Sequence, residues 1–346
     1  MDTVLILLHV EKDAGLTKSA LEALGAAKDV AEAGGADLAV GLVGESLRVA
    51  ANLIAGCGAS RFLGVEGAEF GHSRYGSDIA AAEAVCRAVN PTMVIAPATS
   101  RWNRVVAGLA HRLGGRADTH VTDLVAAKGG VTITRWYYRQ RMEAVLQRTQ
   151  RPWVIVLETG CHAPWAGDVG TAKIELITAT LTGAAKRTAV TGVKAPASGQ
   201  QTIRPDAELL FVAGAGWTKK QSDGQAHAPE AESLIRGFLQ LTHASLGSSK
   251  SLVDLSKDGQ AVLTLMTHLN QIGQTGSTPR HLKGLSTCCH GEEPHAVGWR
   301  FISERRAVNL DPNCGWARGK TDVLYVADAF EVVRKVNALL AAKPAR

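Results

Sequence analysis

Apolar residues are distributed in two alternating ways along the first hundred positions. Short runs are almost wholly apolar, as in residues 4–10 (VLILLHV), and read as strands. Between them, apolar residues recur every three or four positions. Residues 17–33 set Leu21, Leu24, Ala27, Val30 and Ala31 at helical spacing before Gly34-Gly35 stops the helix. The same rules predict strands at 38–43, 61–65 and 92–96, and helices at 46–55, 77–89 (stopped by Asn90-Pro91) and 102–113. Continuous apolar runs belong to strands buried on both faces, so the alternation predicts a parallel sheet covered by helices on each side. The pattern then changes: 131–136, 144–148, 153–158 and 174–180 are strand-like with no helix between the first three. They are expected to form an antiparallel extension.

Residues 183–201 are small, basic and turn-forming, with no sustained period. They carry the predicted interdomain connection, which sets an N-terminal domain at 1–190, a linker at 191–204 and a C-terminal domain at 205–346. A fresh pattern follows, with strands at 208–213, 282–287, 306–310 and 322–326. Helices are predicted at 229–241, with Pro229 in the first turn, and at 329–340. The predicted fold class is α/β: two domains, each a mainly parallel sheet flanked by helices, the N-terminal one with an antiparallel extension.

Composition agrees with two globular domains: 346 residues, 46% hydrophobic and 20% charged. The first apolar run is broken by His9 and Glu11, which makes it a strand and not a leader, and no run of about 18 apolar residues offers a membrane span. The six cysteines show no framework spacing, so free thiols in a cytoplasmic protein are expected. A formal charge of +6 raises the question of nucleic acid. Arg135, Arg139, Arg141, Arg148 and Arg151 alternate with Trp136, Tyr137, Tyr138 and Trp153, but this is also the wet face of successive strands, and no nucleic-acid motif accompanies it. No nucleic-acid partner is expected.

Chemistry-bearing residues gather between Gln271 and His295. Gln274-Thr275-Gly276 places an amide, a hydroxyl and a backbone without Cβ in succession, which suits a phosphate or a polar ring edge and equally a surface turn. Cys288-Cys289-His290-Gly291-Glu292-Glu293-Pro294-His295 holds metal-ligating and nucleophilic side chains, yet no C-x-x-C pair, and cysteines at a strand end also serve as small buried hydrophobes. Gly214-Ala215-Gly216 follows a strand as half of a dinucleotide fingerprint does, or as a plain turn does. The span 217–228 after it is polar and long, with Lys219, Lys220 and His227. Asn309, in Asn309-Leu310-Asp311-Pro312, and Asp328 lie at strand and helix ends, where they are cofactor contacts by position or a turn former and an N-cap. Thr99 and Ser100 pose the same choice between ligand position and cap.

Taken jointly and in order, these motifs resemble the alpha subunit of electron transfer flavoproteins, the family that includes the FixB-type proteins, in a divergent form. The resemblance rests on VLILLHVEKDAG and PTMVIAPATSRWNRVVAGLAHRLGGRADTHVTDL in the first half. In the second half it rests on IRPDAELLFVAGAG, QIGQTG, HGEEPH at the place of S-G-A-I-Q-H, NLDP at the place of N-K-D-P, and VADAFEVV. It implies two nucleotide-binding, Rossmann-like domains: the first pairs with a beta subunit and the second binds FAD. Carried over by position, Gln271, Gln274, Thr275 and Gly276 would face the flavin and its ribityl chain, and His295 the pyrimidine edge. His290 and Gly291 would lie beside the diphosphate, and Asn309 and Asp328 near the adenosine half. The implied role is a heterodimeric electron carrier between a flavin dehydrogenase and a quinone-linked or iron-sulfur acceptor, with no catalytic residue, no resident metal and no stable membrane insertion.

Three departures bear on this. The family's S-G-G-R-G is Ala213-Gly214-Ala215-Gly216-Trp217, so no Arg stands over the flavin; Lys219 or Lys220 would be a poor replacement for a planar guanidinium. Glu292 and Glu293 replace Ala and Ile near the diphosphate and would need Arg300, Arg305 or Arg306 as partners. Insertions near 221–227 and 260–270 remodel the rim. Two other functions therefore stay open: an enzyme using Cys288, Cys289, His290 and His295, and a scaffold subunit without cofactor.

Overall fold

The computed structural model describes residues 2–11, 15–127, 130–138, 142–192, 203–204, 206–254, 263–273, 278–287, 302–313 and 321–342. The chain divides into two compact units, Met1–Lys194 and Ala195–Arg346.

In the first unit, β1 (Thr3–His9) opens a nine-stranded sheet and α1 (Lys18–Gly34) returns the chain to β2 (Asp37–Gly44). Thr17 caps α1 by accepting the Ala20 N–H at 3.2 Å. Gly35 ends it in the left-handed region at φ 61°, which costs a residue without Cβ nothing. Then come α2 (Arg48–Leu53), β3 (Arg61–Glu66), α3 (Tyr75–Val89), β4 (Met93–Pro97) and α4 (Ser100–Arg112). β5 (Arg116–Ala127), β6 (Gly130–Tyr137), β7 (Met142–Leu146), β8 (Trp153–Leu157) and β9 (Ile174–Leu176) complete the sheet, whose order is β7-β6-β5-β8-β4-β1-β2-β3-β9.

Strand alternation divides the core into two layers. Val4, Ile6 and Leu8 pack with α1 and α2, while Leu5 and Leu7 pack with α3 and α4. All four residues from Leu5 to Leu8 are fully buried, and each contributes about 1.5–3 kcal/mol relative to an exposed position. Gly25 sits where an added Cβ would lie 2.7 Å from the Ala163 carbonyl oxygen, so α1 accepts the chain segment after β8 only because this position is bare.

Two sequence expectations need correction here. An antiparallel extension exists, but it consists of β5, β6 and β7. β8 and β9 are parallel members of the main sheet: β8 is inserted between β4 and β5, and β9 lies beside β3. An apolar run such as WVIVL requires burial on both faces but does not specify its neighbours, so the pattern alone cannot distinguish a parallel from an antiparallel pairing. β5 itself is not expected from the sequence, because Asp118, Thr119, His120 and Asp123 interrupt its apolar pattern.

The second unit is a five-stranded, wholly parallel sheet in the order β11-β10-β12-β13-β14. Its strands are β10 (Leu209–Ala213), β11 (Ser245–Ser248), β12 (His281–Thr287), β13 (Ile302–Asn309) and β14 (Val323–Val326). Between β10 and β11 runs α5 (Ala228–Thr242), with a proline in its first turn; α6 (Lys250–Asp254) is a short helix after β11, and α7 (Ala329–Ala341) ends the unit. Phe211 and Ala213 pack with α5 and α7, whereas Leu210 and Val212 pack with Ile272, Ile302 and Ala307 on the other face. β11 and α6 were not expected: SLGS has neither length nor alternation, although Ser245 and Ser248 are both fully buried.

Candidate functional site

In the second unit β10 is followed by β11 on one side and flanked by β12 on the other. The chain leaving β10 and the chain leaving β12 therefore travel in opposite directions. This is the order 2-1-3-4-5, and doubly wound sheets take ligands in the crevice at the carboxyl ends of the two strands where the direction reverses. The crevice here lies between Ala213 and Thr287, which are register partners.

Several of the sequence-predicted residues converge on this edge. Gln271 bridges in parallel to Ser248 at the end of β11, and Ile272 donates its N–H to the Ser248 carbonyl at 3.0 Å. This brings the start of QIGQTG to the sheet edge. Gly273 donates its N–H to Thr278 Oγ1 at 2.6 Å, tying together the two residues on either side of 274–277. Asn309 ends β13, is 2% exposed, and donates from Nδ2 to the Asp311 carbonyl at 2.9 Å. Asp328 follows β14 and accepts the Glu331 N–H at 3.0 Å, capping α7. The plain roles expected for Asn309 and Asp328 are thus both in place. Gln274, Thr275, Gly276, His290, Gly291 and His295 lie outside the described residues, as do Cys288, Cys289, Glu292 and Glu293.

Does this edge suit a polar ligand? Ser248 Oγ, Ser286 Oγ and Asn309 Oδ1 are buried and have no hydrogen-bond partner among the described residues. Buried polar atoms in folded proteins are almost always satisfied; Ser286 and Asn309, on one face of the carboxyl edge, fit a group that supplies their partners, whereas Ser248 lies on the other face. Ser248 and Ser286 were not singled out in the sequence, since serines inside a strand carry no motif.

The turn after β10 differs from the expectation of half a fingerprint. Ala215–Trp217 forms a 3₁₀ turn that folds inward and buries Trp217 completely. The Trp217 indole N–H donates to Thr287 Oγ1 at 2.8 Å, and its ring lies 4.6 Å from that of Phe330. Lys219 and Lys220 are exposed just beyond the turn. The inserted segment after them is a small hairpin closed by the Lys220–Ala226 bridge and by a 2.7 Å His227–Asp223 contact. Bonds from the Gln225 backbone and His227 hold the Asp223 carboxyl below the usual range. Arg305 and Arg306, the candidate partners for the two glutamates, contact Asp322 at 3.4 Å and Glu304 at 3.1 Å respectively.

In the first unit, the Thr99 hydroxyl accepts the Trp102 N–H at 3.2 Å, so the cap role expected at the start of α4 is realised. Arg101 beside it is buried and donates to Asp78 at 2.7 Å and to the Phe70 carbonyl at 2.6 Å. The arginine-rich stretch is partly committed inward: Arg135 and Arg148 both bind the fully buried Asp118. Among the described residues no group of three or more metal-ligating side chains is found, and no helix is long and apolar enough to cross a membrane.

The two sheets and their flanking helices define a double α/β protein with two Rossmann-like units. Residues 4–197 match the family model of the electron transfer flavoprotein domain, more than half of the chain, and the chain belongs to that family, whose members are flavin proteins that work with partner subunits and redox partners. No curated protein matches the chain.

Proposed function

We propose that this chain is the alpha subunit of an electron transfer flavoprotein. Its second unit binds FAD at the carboxyl edge of the five-stranded sheet. With a beta subunit paired through the first unit, it carries electrons from a flavin dehydrogenase to a quinone-linked or iron-sulfur acceptor. The observation that carries the reading is the unsatisfied edge at the reversal point of the second sheet, in a chain whose residues 4–197 match the family.

The bound isoalloxazine supplies reversible storage of electrons. The chain's own part is binding and orientation. Gln271 is anchored to the end of β11, and Gln271, Gln274, Thr275 and Gly276 are assigned to the flavin side. Asn309 and Asp328, on β13 and ahead of α7, are assigned to the adenosine half. His290 and Gly291 are assigned to the diphosphate, and His295 to the pyrimidine edge. With Gly216 at the Arg position, no guanidinium from that turn stabilises anionic flavin, and a lower midpoint potential is expected than with Arg present.

Coexpression with a beta subunit, purification and a visible spectrum test the reading: flavin absorbance in the complex supports it, and a colourless complex contradicts it. In a coloured complex, His295→Ala is expected to shift the flavin midpoint potential without loss of fold.

A further inference from the structure

The two faces of the second sheet are equipped differently at its carboxyl edge. On one face Ser248, Ala213, Thr287 and Val308 lie side by side across four strands. There Thr287 Oγ1 donates to the Val212 carbonyl at 3.0 Å and accepts from Trp217, whose indole is sealed under α5 and α7. The centre of this face is closed by a side chain of the protein itself. On the opposite face lie Val212, Ser286 and Ala307, with Asn309 two residues further along β13. Ser286 is fully buried, Asn309 is 2% exposed, and Ser286 Oγ and Asn309 Oδ1 are both without partners among the described residues.

We infer that Ser286 is a cofactor-binding residue, and that with Asn309 it grips a hydroxyl-bearing stretch of the ligand on the face opposite Trp217. The polarity of the pair selects this chemistry. Asn309 Nδ2 is engaged by the Asp311 carbonyl, so the atom left to the ligand is an acceptor and requires a donor. A phosphate oxygen has none to give at neutral pH, whereas a sugar or ribityl hydroxyl does. The Ser286 hydroxyl can donate or accept. From strand spacing and rise, the two Cα atoms stand roughly 8 Å apart on the diagonal, a span that one sugar or polyol stretch can bridge. Ser248 Oγ, equally buried and equally unpartnered, is on the closed face and is not part of the assignment.

The inference rests on the flavin reading, and one set of titrations separates the two. The full chain is titrated with FAD by calorimetry, as the native sequence and as Ser286→Ala, Ser248→Ala and Trp217→Phe. Loss of one hydrogen bond predicts a Kd for Ser286→Ala raised about three- to tenfold. Ser248→Ala and Trp217→Phe are expected to stay within about twofold of the native value. Without ligand, Ser286→Ala should melt no lower than the native chain, because it removes a buried unsatisfied hydroxyl; this excludes misfolding as the cause of weaker binding. Native-like affinity in Ser286→Ala, or a larger loss in Ser248→Ala, overturns the assignment while leaving the flavin reading intact. Failure of the native chain to bind FAD overturns both.

Discussion

Asp118 accepts the Trp153 indole N–H at 2.9 Å although both side chains are fully buried. The same carboxylate accepts from Arg135 at 2.7 Å and from Arg148. One anion therefore binds β5 to β8 and holds the antiparallel extension against the main sheet. Burial by itself would raise the Asp118 carboxyl, but the bonds from Arg148, Trp153 and Arg135 outweigh it and hold the group below its usual range.

Asp118→Asn is expected to cost about 3–5 kcal/mol at pH 7, because two guanidinium groups lose their counter-charge in a buried setting. A lowered carboxyl favours the folded state above its unfolded value, near 3.8, and this stabilisation disappears as pH falls through the folded value. Urea unfolding followed by exchange of the β6 amides should show a wide gap between native and variant at pH 7 that narrows progressively as the pH is lowered below 3.8. An equal gap throughout would remove Asp118 from its central role.

A second prediction concerns Trp217. Phenylalanine retains most of the volume and loses the donor to Thr287, so Trp217→Phe should destabilise the second unit by about 1–3 kcal/mol. The check is the denaturant midpoint of β10 and β12 amide exchange. No shift would mean that the indole bond adds nothing to this edge.

His120 stands in a β-bulge of β5 at φ 57° and contacts Glu158 at 2.9 Å. The hydrogen bond to Glu158 raises its pKa above 6.5. The stabilisation from the charged pair is complete below the unfolded value and is lost as pH rises through the folded one. An NMR titration should place His120 above 6.5 and return it toward that value in Glu158→Gln; an identical titration in the two proteins would refute the contact.

Cys86 is buried on α3, and burial pushes its thiol up to about 12. Iodoacetamide at pH 8 should leave it unmodified in the native chain and alkylate it in urea. Peptide mapping decides the matter, and native-state labelling of Cys86 would contradict the packing of α3.

How far the sequence spoke depended on the kind of signal. Apolar runs and 3.6-residue periods, as in β1, α1 and α5, register burial directly, and these elements fall within a few residues of expectation. β5 was hidden because its buried Asp118 looks like a loop residue until Arg135, Arg148 and Trp153 are brought to it by tertiary structure. β11 was hidden because a four-residue strand of serine, leucine and glycine has no pattern to read. At the carboxyl edge of the second sheet, Gln271, Asn309 and Asp328 stand at positions that the sequence marks as motifs. Ser286 and the inward turn of Trp217 carry no such mark, since a strand serine becomes informative only when its neighbours fail to satisfy it, and a tryptophan after a glycine turn can point either way.

The central claim is that the second unit holds FAD. Stepwise addition of FAD to the full chain, recorded as a difference spectrum in the visible region, tests it most directly. The account predicts a perturbed flavin spectrum that saturates at one FAD per chain; a spectrum that remains that of free FAD throughout the titration would contradict it.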